Sequence, residues 1–235
     1  MTIPRVVEDL WGIERPGRRG PKPATSLVAV AREAIAIADA DGLAAVSMAA
    51  VAKRLGFTTM ALYRYVESRE DLEVAMADVA LGEPPVVGDR GWRAEIEAWA
   101  RAELAVLLEH PWSLDVRPGT PPLGPGSLGW MDAGLQALAQ SDIPPDQIPS
   151  CLLLVDGYVR NQVLLAQQFD RTEGWEDGLR AVIDQNRLPA LAAAMDAGAF
   201  DDSTEEESFP GDEFEFGLYL LLDGIERLSS ARNSS

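Results

Sequence analysis

Residues 47–66, SMAAVAKRLGFTTMALYRYV, carry the pattern from which the rest of the chain can be interpreted. Ser47 is a favourable helix N-cap, and apolar residues recur after it at helical spacing as far as Leu55. Gly56 then stands where a left-handed residue commonly ends a helix. The stretch therefore predicts a short helix that stops at a tight glycine turn.

A second short helix is predicted after the turn, and either Thr58 or Thr59 can cap it. Leu62 and Val66 are four residues apart, which predicts that both face inward. The outer face then carries Thr59, Met60, Tyr63 and Arg64. Such a pair is typical of a helix-turn-helix whose second helix enters a DNA major groove. The pattern also fits an ordinary packed pair of helices.

The sequence around this motif resembles the tetracycline-repressor-like (TetR) family of bacterial regulators. The matching pieces are DGL at 41–43, the two motif helices at 47–66 and SREDL at 68–72. The C-terminal part is similar to the ligand domain of that family through WRAEIEAWA, LLEHPW, the RPGTP loop and FEFGLYLLLDGIE. The resemblance spans about residues 25–230. It implies a homodimeric transcriptional repressor that binds double-stranded, pseudo-palindromic operator DNA and is released by a small apolar or aromatic effector.

Helical periodicity without any strand pattern predicts an all-α fold. An N-terminal three-helix head and a connecting helix over 69–81 are predicted to form a helix-turn-helix DNA-binding domain at 25–82. A larger helical ligand-binding and dimerisation domain is expected at 88–235. Pro- and Gly-rich residues 117–129 and acidic residues 196–215 are predicted to be loops.

Residues 1–24 contain four prolines and show no helical period, which predicts a loose N-terminal arm. The basic tract ERPGRRGPK at 14–22 fits two roles. It either follows DNA phosphates or reaches into the minor groove, or it is an ordinary solvated tail.

The net charge of −18 is unevenly distributed along the chain. Residues 11–69 carry nine Lys/Arg against five Asp/Glu, a local charge of +4. Residues 81–235 carry ten Lys/Arg against 27 Asp/Glu, a local charge of −17. Because the Debye length at cellular salt is about 8 Å, the acidic part weakens DNA binding without preventing a local basic contact.

Several functional classes are disfavoured by the sequence. It has no long apolar run and no signal segment, so we expect a cytoplasmic protein without a membrane span. Cys151 is the only cysteine, which rules out an intrachain disulfide. His110 is the only histidine and stands at a predicted helix end, and the sequence contains no nucleophile motif with which it could act in catalysis. Metal-binding and dinucleotide-binding motifs are absent from the sequence. We therefore predict no enzymatic activity, no metal and no cofactor.

Candidate DNA contacts follow from the helix-turn-helix and the resemblance. They are Ser47, Lys53, Thr58, Thr59, Met60, Tyr63, Arg64, Tyr65 and Arg69. The resemblance implies that Tyr63 contacts a phosphate, whereas Met60 and Tyr65 also fit packing positions within the head. The namesake repressor reads a base with an arginine where this chain has Ala49, so a different operator is expected.

Candidate effector contacts are Trp99, Trp112, Arg117, Trp130, Tyr158, Asn161 and Gln162, because effector pockets combine apolar walls with a few polar groups. The namesake holds a magnesium–drug complex through a histidine in the loop matched by Val116–Pro121. This loop has no histidine, so neither magnesium nor tetracycline is predicted. Two alternatives stay open, a small-molecule binding protein without a functional operator and a helical enzyme.

The apolar faces of 151–169 and 214–228 exceed what one core needs. We therefore predict that they form a four-helix bundle across the two-fold axis of a homodimer. Leu221 and Leu222 are expected at that interface.

Overall fold

The computed structural model describes residues 3–13, 25–116, 121–169, 175–184, 187–198 and 211–232. Within these ranges the predicted all-α fold is confirmed. The helices are α1 Arg5–Leu10, α2 Leu27–Asp41, α3 Met48–Arg54, α4 Thr59–Leu62, α5 Arg69–Ala80, α6 Trp92–Glu109, α7 Pro125–Leu138, α8 Ile148–Phe169, α9 Trp175–Val182, α10 Pro189–Asp196 and α11 Gly211–Arg232. None of them is both long and apolar enough to cross a membrane.

Helices α2 to α5 each begin at a hydroxyl side chain that accepts a hydrogen bond from the backbone amide three residues later. The four caps are Ser26, Ser47, Thr58 and Ser68, with donor–acceptor distances of 3.0–3.2 Å. Such a cap contributes about 1 kcal/mol relative to alanine. The local sequence therefore determines where the helices of the N-terminal head begin.

Two hydrophobic cores form, one in the head and one in the body. The head core joins α1 to α5 through residues such as Val30, Val51, Leu62 and Met76, all fully buried. The body core is built from α6, α7, α8 and α11. One side chain of the 110–116 segment, Trp112, lies in the head core. Body and head are therefore packed together at this segment.

The N-terminal arm differs from the prediction, because residues 5–10 form α1. Val6 and Val7 are buried in the head core, and the Arg5 guanidinium pairs with Glu67. A six-residue helix is too short to show a period, and burial against α5 supplies most of its stability. The basic tract at 14–22 lies outside the described residues, so its role stays a prediction.

Helix α7 also begins earlier than predicted. The stretch 117–129 was expected to be a loop, but the helix starts at Pro125. Proline is well tolerated at a first helical position, because the amide that it lacks has no partner there. Of the acidic stretch 196–215, residues 199–210 lie outside the description and α11 starts at Gly211.

Helix α11 is held against α6 by charged side chains. Arg93 donates to Asp223 at 2.7 Å and to Glu226 at 3.0 Å. Arg101 donates to Glu215 at 2.7 Å. These contacts lie beside the stripe of α11 that packs into the body core, which includes Phe214, Leu218 and Leu222.

Candidate DNA-binding surface and effector site

The turn of the helix-turn-helix depends on Gly56. Its φ of 69° lies in the left-handed region, where an L side chain is strained. The Gly56 amide donates to Lys53 O at 3.2 Å, and the Phe57 amide donates to Ala52 O at 2.8 Å. This pair of bonds is the Schellman ending of a helix, and it fixes the angle between α3 and α4.

The second motif helix is shorter than the sequence suggests. Regular α-helix covers only Thr59–Leu62, and the chain then tightens, with the Tyr65 amide donating to Leu62 O at 2.9 Å. Leu62 and Val66 are both buried, so the predicted inward pair does face the head core. The opposite side of this segment is thereby turned to solvent.

That outward surface carries a compact polar and aromatic group. Met60 is 76% exposed and Tyr63 44% exposed, so Met60 does not pack within the head. Arg64 and Lys53 are also exposed. Neither cation has an ion-pair partner within the part of the chain that the structure describes. The surface therefore presents two uncompensated cations beside a phenol hydroxyl.

Four other predicted DNA contacts already have structural roles. Tyr65 stacks on Phe57 with ring centroids 6.3 Å apart. Arg69 donates to Glu73 at 2.7 Å and to Leu43 O at 3.3 Å. The Ser47 and Thr58 hydroxyls cap α3 and α4. Thr59 is half-buried at the start of α4.

In the body, the structure brings Trp99 and Trp130 together. Their rings meet edge to face, with centroids 5.9 Å apart and an interplanar angle of 67°. The Trp99 indole donates to Trp130 O at 2.9 Å, and the Trp130 indole donates to Leu81 O at 3.0 Å. Leu81 is the C-cap of α5, so this pair links the body core to the end of the connecting helix.

The other predicted effector contacts are scattered. Trp112 lies in the head core, and its indole donates to Asp39. Tyr158 stacks on Phe214, and its hydroxyl donates to Phe214 O at 3.0 Å, so it packs α8 against α11. Asn161 lies on the exposed side of α8, whereas Gln162 is buried. Arg117 lies outside the described residues.

Sequence reasoning missed Asp78, a buried residue near the end of α5. Its carboxyl oxygens accept from the Gly126 amide at 3.0 Å, the Ser127 amide at 2.8 Å and the Ser127 hydroxyl at 2.9 Å. A Cβ on Gly124 would clash with this carboxyl group, and one on Gly126 would clash with the Asp78 carbonyl. Asp78 thus caps α7 from another helix, at a place that only glycines allow.

A second acidic side chain, Asp39 on α2, also joins head to body. One oxygen, Oδ1, lies 2.6 Å from the Trp112 indole nitrogen and 2.8 Å from His110 Nδ1. The Trp11 indole, just after α1, donates to Leu123 O at 2.8 Å. Hydrogen bonds from α1, α2 and α5 therefore converge on residues 110–127.

Sequence reasoning also missed Glu103, which lies on the buried face of α6. Its side chain is 3% exposed, and desolvation raises the pKa of its carboxyl group to about 9. Its spacing along the helix could have revealed it, because Ile96, Trp99 and Leu107 lie on the same inward face of α6. A charged residue at such a position marks a buried polar site.

Comparison with known proteins agrees with this architecture. Residues 27–76 match the family model described as bacterial regulatory proteins, tetR family. Residues 84–229 match the model described as tetracyclin repressor-like, C-terminal domain. The HTH-type transcriptional repressor DrrR1 of Streptomyces coeruleorubidus is 37% identical over 241 residues, covering 98% of this chain and 88% of that protein.

Solved structures share the fold at low sequence identity. Apo ActR from Streptomyces coelicolor has a TM-score of 0.75 and 22% identity, and the match covers 90% of this chain and all of ActR. BioQ, which has been solved with its double-stranded DNA operator, has a TM-score of 0.61 and 20% identity over 86% of this chain and 99% of BioQ. With both halves matched in order, this chain belongs to the TetR family of bacterial transcriptional regulators.

Proposed function

We propose that this regulator is a ligand-responsive repressor that binds a pseudo-palindromic operator as a homodimer and is released by a small apolar or aromatic effector. The observation that carries the proposal is the exposed surface of Met60, Tyr63 and Arg64, on the segment 59–66 that Leu62 and Val66 anchor to the head. The similarity to the repressor DrrR1 and the operator-bound structure of BioQ support it. Acting on genomic DNA, it would work in the cytoplasm.

The exposed side chains of the head suit different parts of the DNA. Thr59 and Met60 open α4, where side chains meet base edges, and the Thr59 methyl suits a thymine methyl. The Tyr63 hydroxyl and the Lys53 ammonium suit phosphate oxygens, which position the protein without reading sequence. Arg64 reaches either a guanine or a phosphate. Ser47, Thr58, Tyr65 and Arg69 contribute at most secondary contacts, since each already has an intramolecular partner.

The effector is proposed to act at the Trp99–Trp130 pair. Because the Trp130 indole bonds the C-cap carbonyl of α5, a ligand that displaces this indole also moves the helix that carries the head. ActR, a relative in fold, has been solved in complex with actinorhodin, which shows that this architecture holds small molecules in that protein. To release DNA, the effector must bind the DNA-free conformation more tightly, since equal affinity shifts no equilibrium.

The exposed apolar faces of α8 and α11 are proposed to form the dimer interface. On α8 the outward residues include Leu153, 70% exposed, and Leu154, 56% exposed. On α11 they include Phe216, 69% exposed, and Leu220, 54% exposed. Leu222, which the sequence suggested for the interface, is instead buried in the core of its own chain, and Leu221 is half-buried. Leu220 is therefore the residue through which the interface should be tested.

The operator is most directly sought in DNA upstream of the gene that encodes this protein. We expect the purified protein to shift that DNA in a gel at concentrations where unrelated DNA of equal length stays free. Specific binding by such regulators exceeds non-specific binding by about 10³-fold or more. Equal retardation of both fragments would favour the alternative, a small-molecule binding protein without a functional operator.

Substitutions at Tyr63 and Arg64, directly after α4, should separate contacts that position the protein on DNA from contacts that recognise the base sequence. Tyr63→Phe should weaken binding to all sequences alike, by about 1 kcal/mol, because it removes one phosphate hydrogen bond. Arg64→Ala should either relax specificity at one position at a cost of about 1–3 kcal/mol or lower the salt slope by about one. Quantitative footprinting measures both effects. Arg187→Ala, the same charge change at an exposed position between α9 and α10, is the control. Unchanged affinity in both the Tyr63 and the Arg64 variant would show that segment 59–66 is not the recognition element.

Sedimentation velocity tests the interface. The unaltered protein should sediment as a dimer, and Leu220→Glu should sediment as a folded monomer, because a buried unpaired carboxylate is strongly unfavourable at an apolar interface. Val86→Glu places the same charge on a side chain that is 93% exposed in a loop, and it should remain dimeric. A stable monomer of the unaltered protein would contradict the proposed dimer.

A further inference from the structure

Helix α1 depends for its stability on contacts with the rest of the chain. An isolated helix shorter than about 12–15 residues is marginal in water, and α1 has six residues. Val6 and Val7 are 3% and 2% exposed and lie in the head core, where α1 packs on α2 and α5. Helix α1 therefore stays docked only while these contacts hold, and the loss of one contact weakens the others.

The N-terminal end of α1 is bonded to the end of segment 59–66. The Arg5 guanidinium pairs with the carboxylate of Glu67, the first residue after that segment. Asp9, one turn further along α1, lies 3.5 Å from the Arg5 Nε atom and helps to orient it. The Glu67 amide donates to Asp71 Oδ2 at 3.2 Å, so Glu67 also joins segment 59–66 to the first turn of α5.

The C-terminal end of α1 is bonded to the body. The indole of Trp11, the C-cap of α1, donates to Leu123 O at 2.8 Å. Leu123 directly precedes Gly124, the N-cap of α7, and the Asp78 carboxyl group holds the first turn of that helix. Helix α1 therefore connects the start of α7 to segment 59–66 by a route that does not pass through α5.

We propose that α1 is a strap that positions segment 59–66 for DNA, with Arg5, Glu67 and Trp11 as its positioning residues. This role rests on the DNA-binding function proposed above. Two heads enter successive major grooves only when their recognition elements lie about 34–36 Å apart. A head that is loosely held adopts that geometry for a smaller fraction of the time, and the observed affinity falls in proportion to the fraction. The docked strap thus favours operator binding without touching DNA.

Because α1 docks as a unit, breaking its bond to the body should also loosen its far end. Hydrogen exchange followed by mass spectrometry detects this in the free protein, without DNA. Trp11→Phe should speed exchange in peptides that cover 66–72. Ile13→Ala removes a 49% exposed apolar side chain two residues further on and keeps the Trp11 indole, so it should leave that exchange unchanged. Exchange over 66–72 at the parent rate in folded Trp11→Phe overturns the proposal.

The ion pair at the other end is tested by DNA binding, with the net charge of the protein held constant. Arg5→Gln/Glu67→Gln removes one charge of each sign, so it breaks the pair without changing the overall attraction to phosphates. It should weaken binding to the upstream DNA fragment by about two- to fivefold. Arg5→Lys keeps the charge and can form the pair again, so it should bind like the parent protein. Parent-like affinity in the double glutamine variant overturns the proposal.

Combining substitutions at both ends separates a strap from two local contacts. Trp11→Phe alone should weaken DNA binding by a similar factor, and adding it to Arg5→Gln/Glu67→Gln should lower the affinity little further, because the strap is already released. Residues more than about 7–10 Å apart without a shared partner are normally additive, and helical rise places Arg5 and Trp11 about 9 Å apart. Losses that multiply in the triple variant would mean independent contacts and would overturn the strap.

The two measurements separate failure of the strap from failure of the proposed function. If the parent protein binds the upstream DNA specifically and neither end of α1 affects the other, the strap is removed and the repressor function stands. If the parent protein binds no DNA specifically, the repressor function is removed together with the role proposed for α1 in positioning segment 59–66. Transmission of the Trp11→Phe effect to 66–72, with specific DNA binding that depends on both ends of α1, is the result that we expect.

Discussion

The hydrogen bonds between the Asp78 carboxyl group and the first turn of α7 are the constraint on which the arrangement of the molecule depends. Three donors from Gly126 and Ser127 converge on two oxygens that are shielded from water. A helix N-terminus leaves its amides without intrahelical partners and carries partial positive charge, so an acidic side chain is a favourable cap. Here the cap belongs to the helix that carries the DNA-binding head.

Other contacts reinforce the same junction. The Asp39 carboxyl group is hydrogen-bonded to Trp112 and His110. The Trp11 indole donates to the Leu123 carbonyl, and the Trp130 indole donates to the carbonyl of Leu81 at the end of α5. The connecting helix predicted over 69–81 is thus only one of several links between head and body. Every one of these bonds ends on residues 110–130 of the body. Two separate cores joined by directional polar bonds suit the switch proposed above, in which the head changes position without unfolding.

The sequence predicted what local chemistry determines. Helix caps at Ser47 and Thr58 depend on atoms three residues away, and the glycine turn depends on one φ angle. Trp112 was misassigned because its partner Asp39 lies 73 residues away, a distance that no local pattern spans. Short α1 was missed for the same reason, since its burial comes from α5.

Hydrophobic periodicity could not show which residues of α8 and α11 face the body core. Helix α8 is apolar over most of its circumference, so its inward face could not be chosen from the sequence. Asn161 and Gln162 are adjacent, yet one is exposed and the other buried. Likewise Leu222 turns inward on α11 where Leu220 turns outward, because Leu222 continues the buried stripe of Phe214 and Leu218 in the body core. Glu103, by contrast, was detectable, because it shares the inward face of α6 with Trp99 and Leu107.

The distance between the two heads of the proposed dimer tests most directly whether Asp78 fixes their position. Nitroxide labels on Ala44→Cys, in a Cys151→Ala background, report that distance by pulsed electron paramagnetic resonance. We expect one narrow distribution for the parent protein and a broadened or shifted one for Asp78→Ala, with Asp132→Ala on exposed α7 as the unchanged control. An identical distribution in the parent protein and in a folded, dimeric Asp78→Ala would contradict the account.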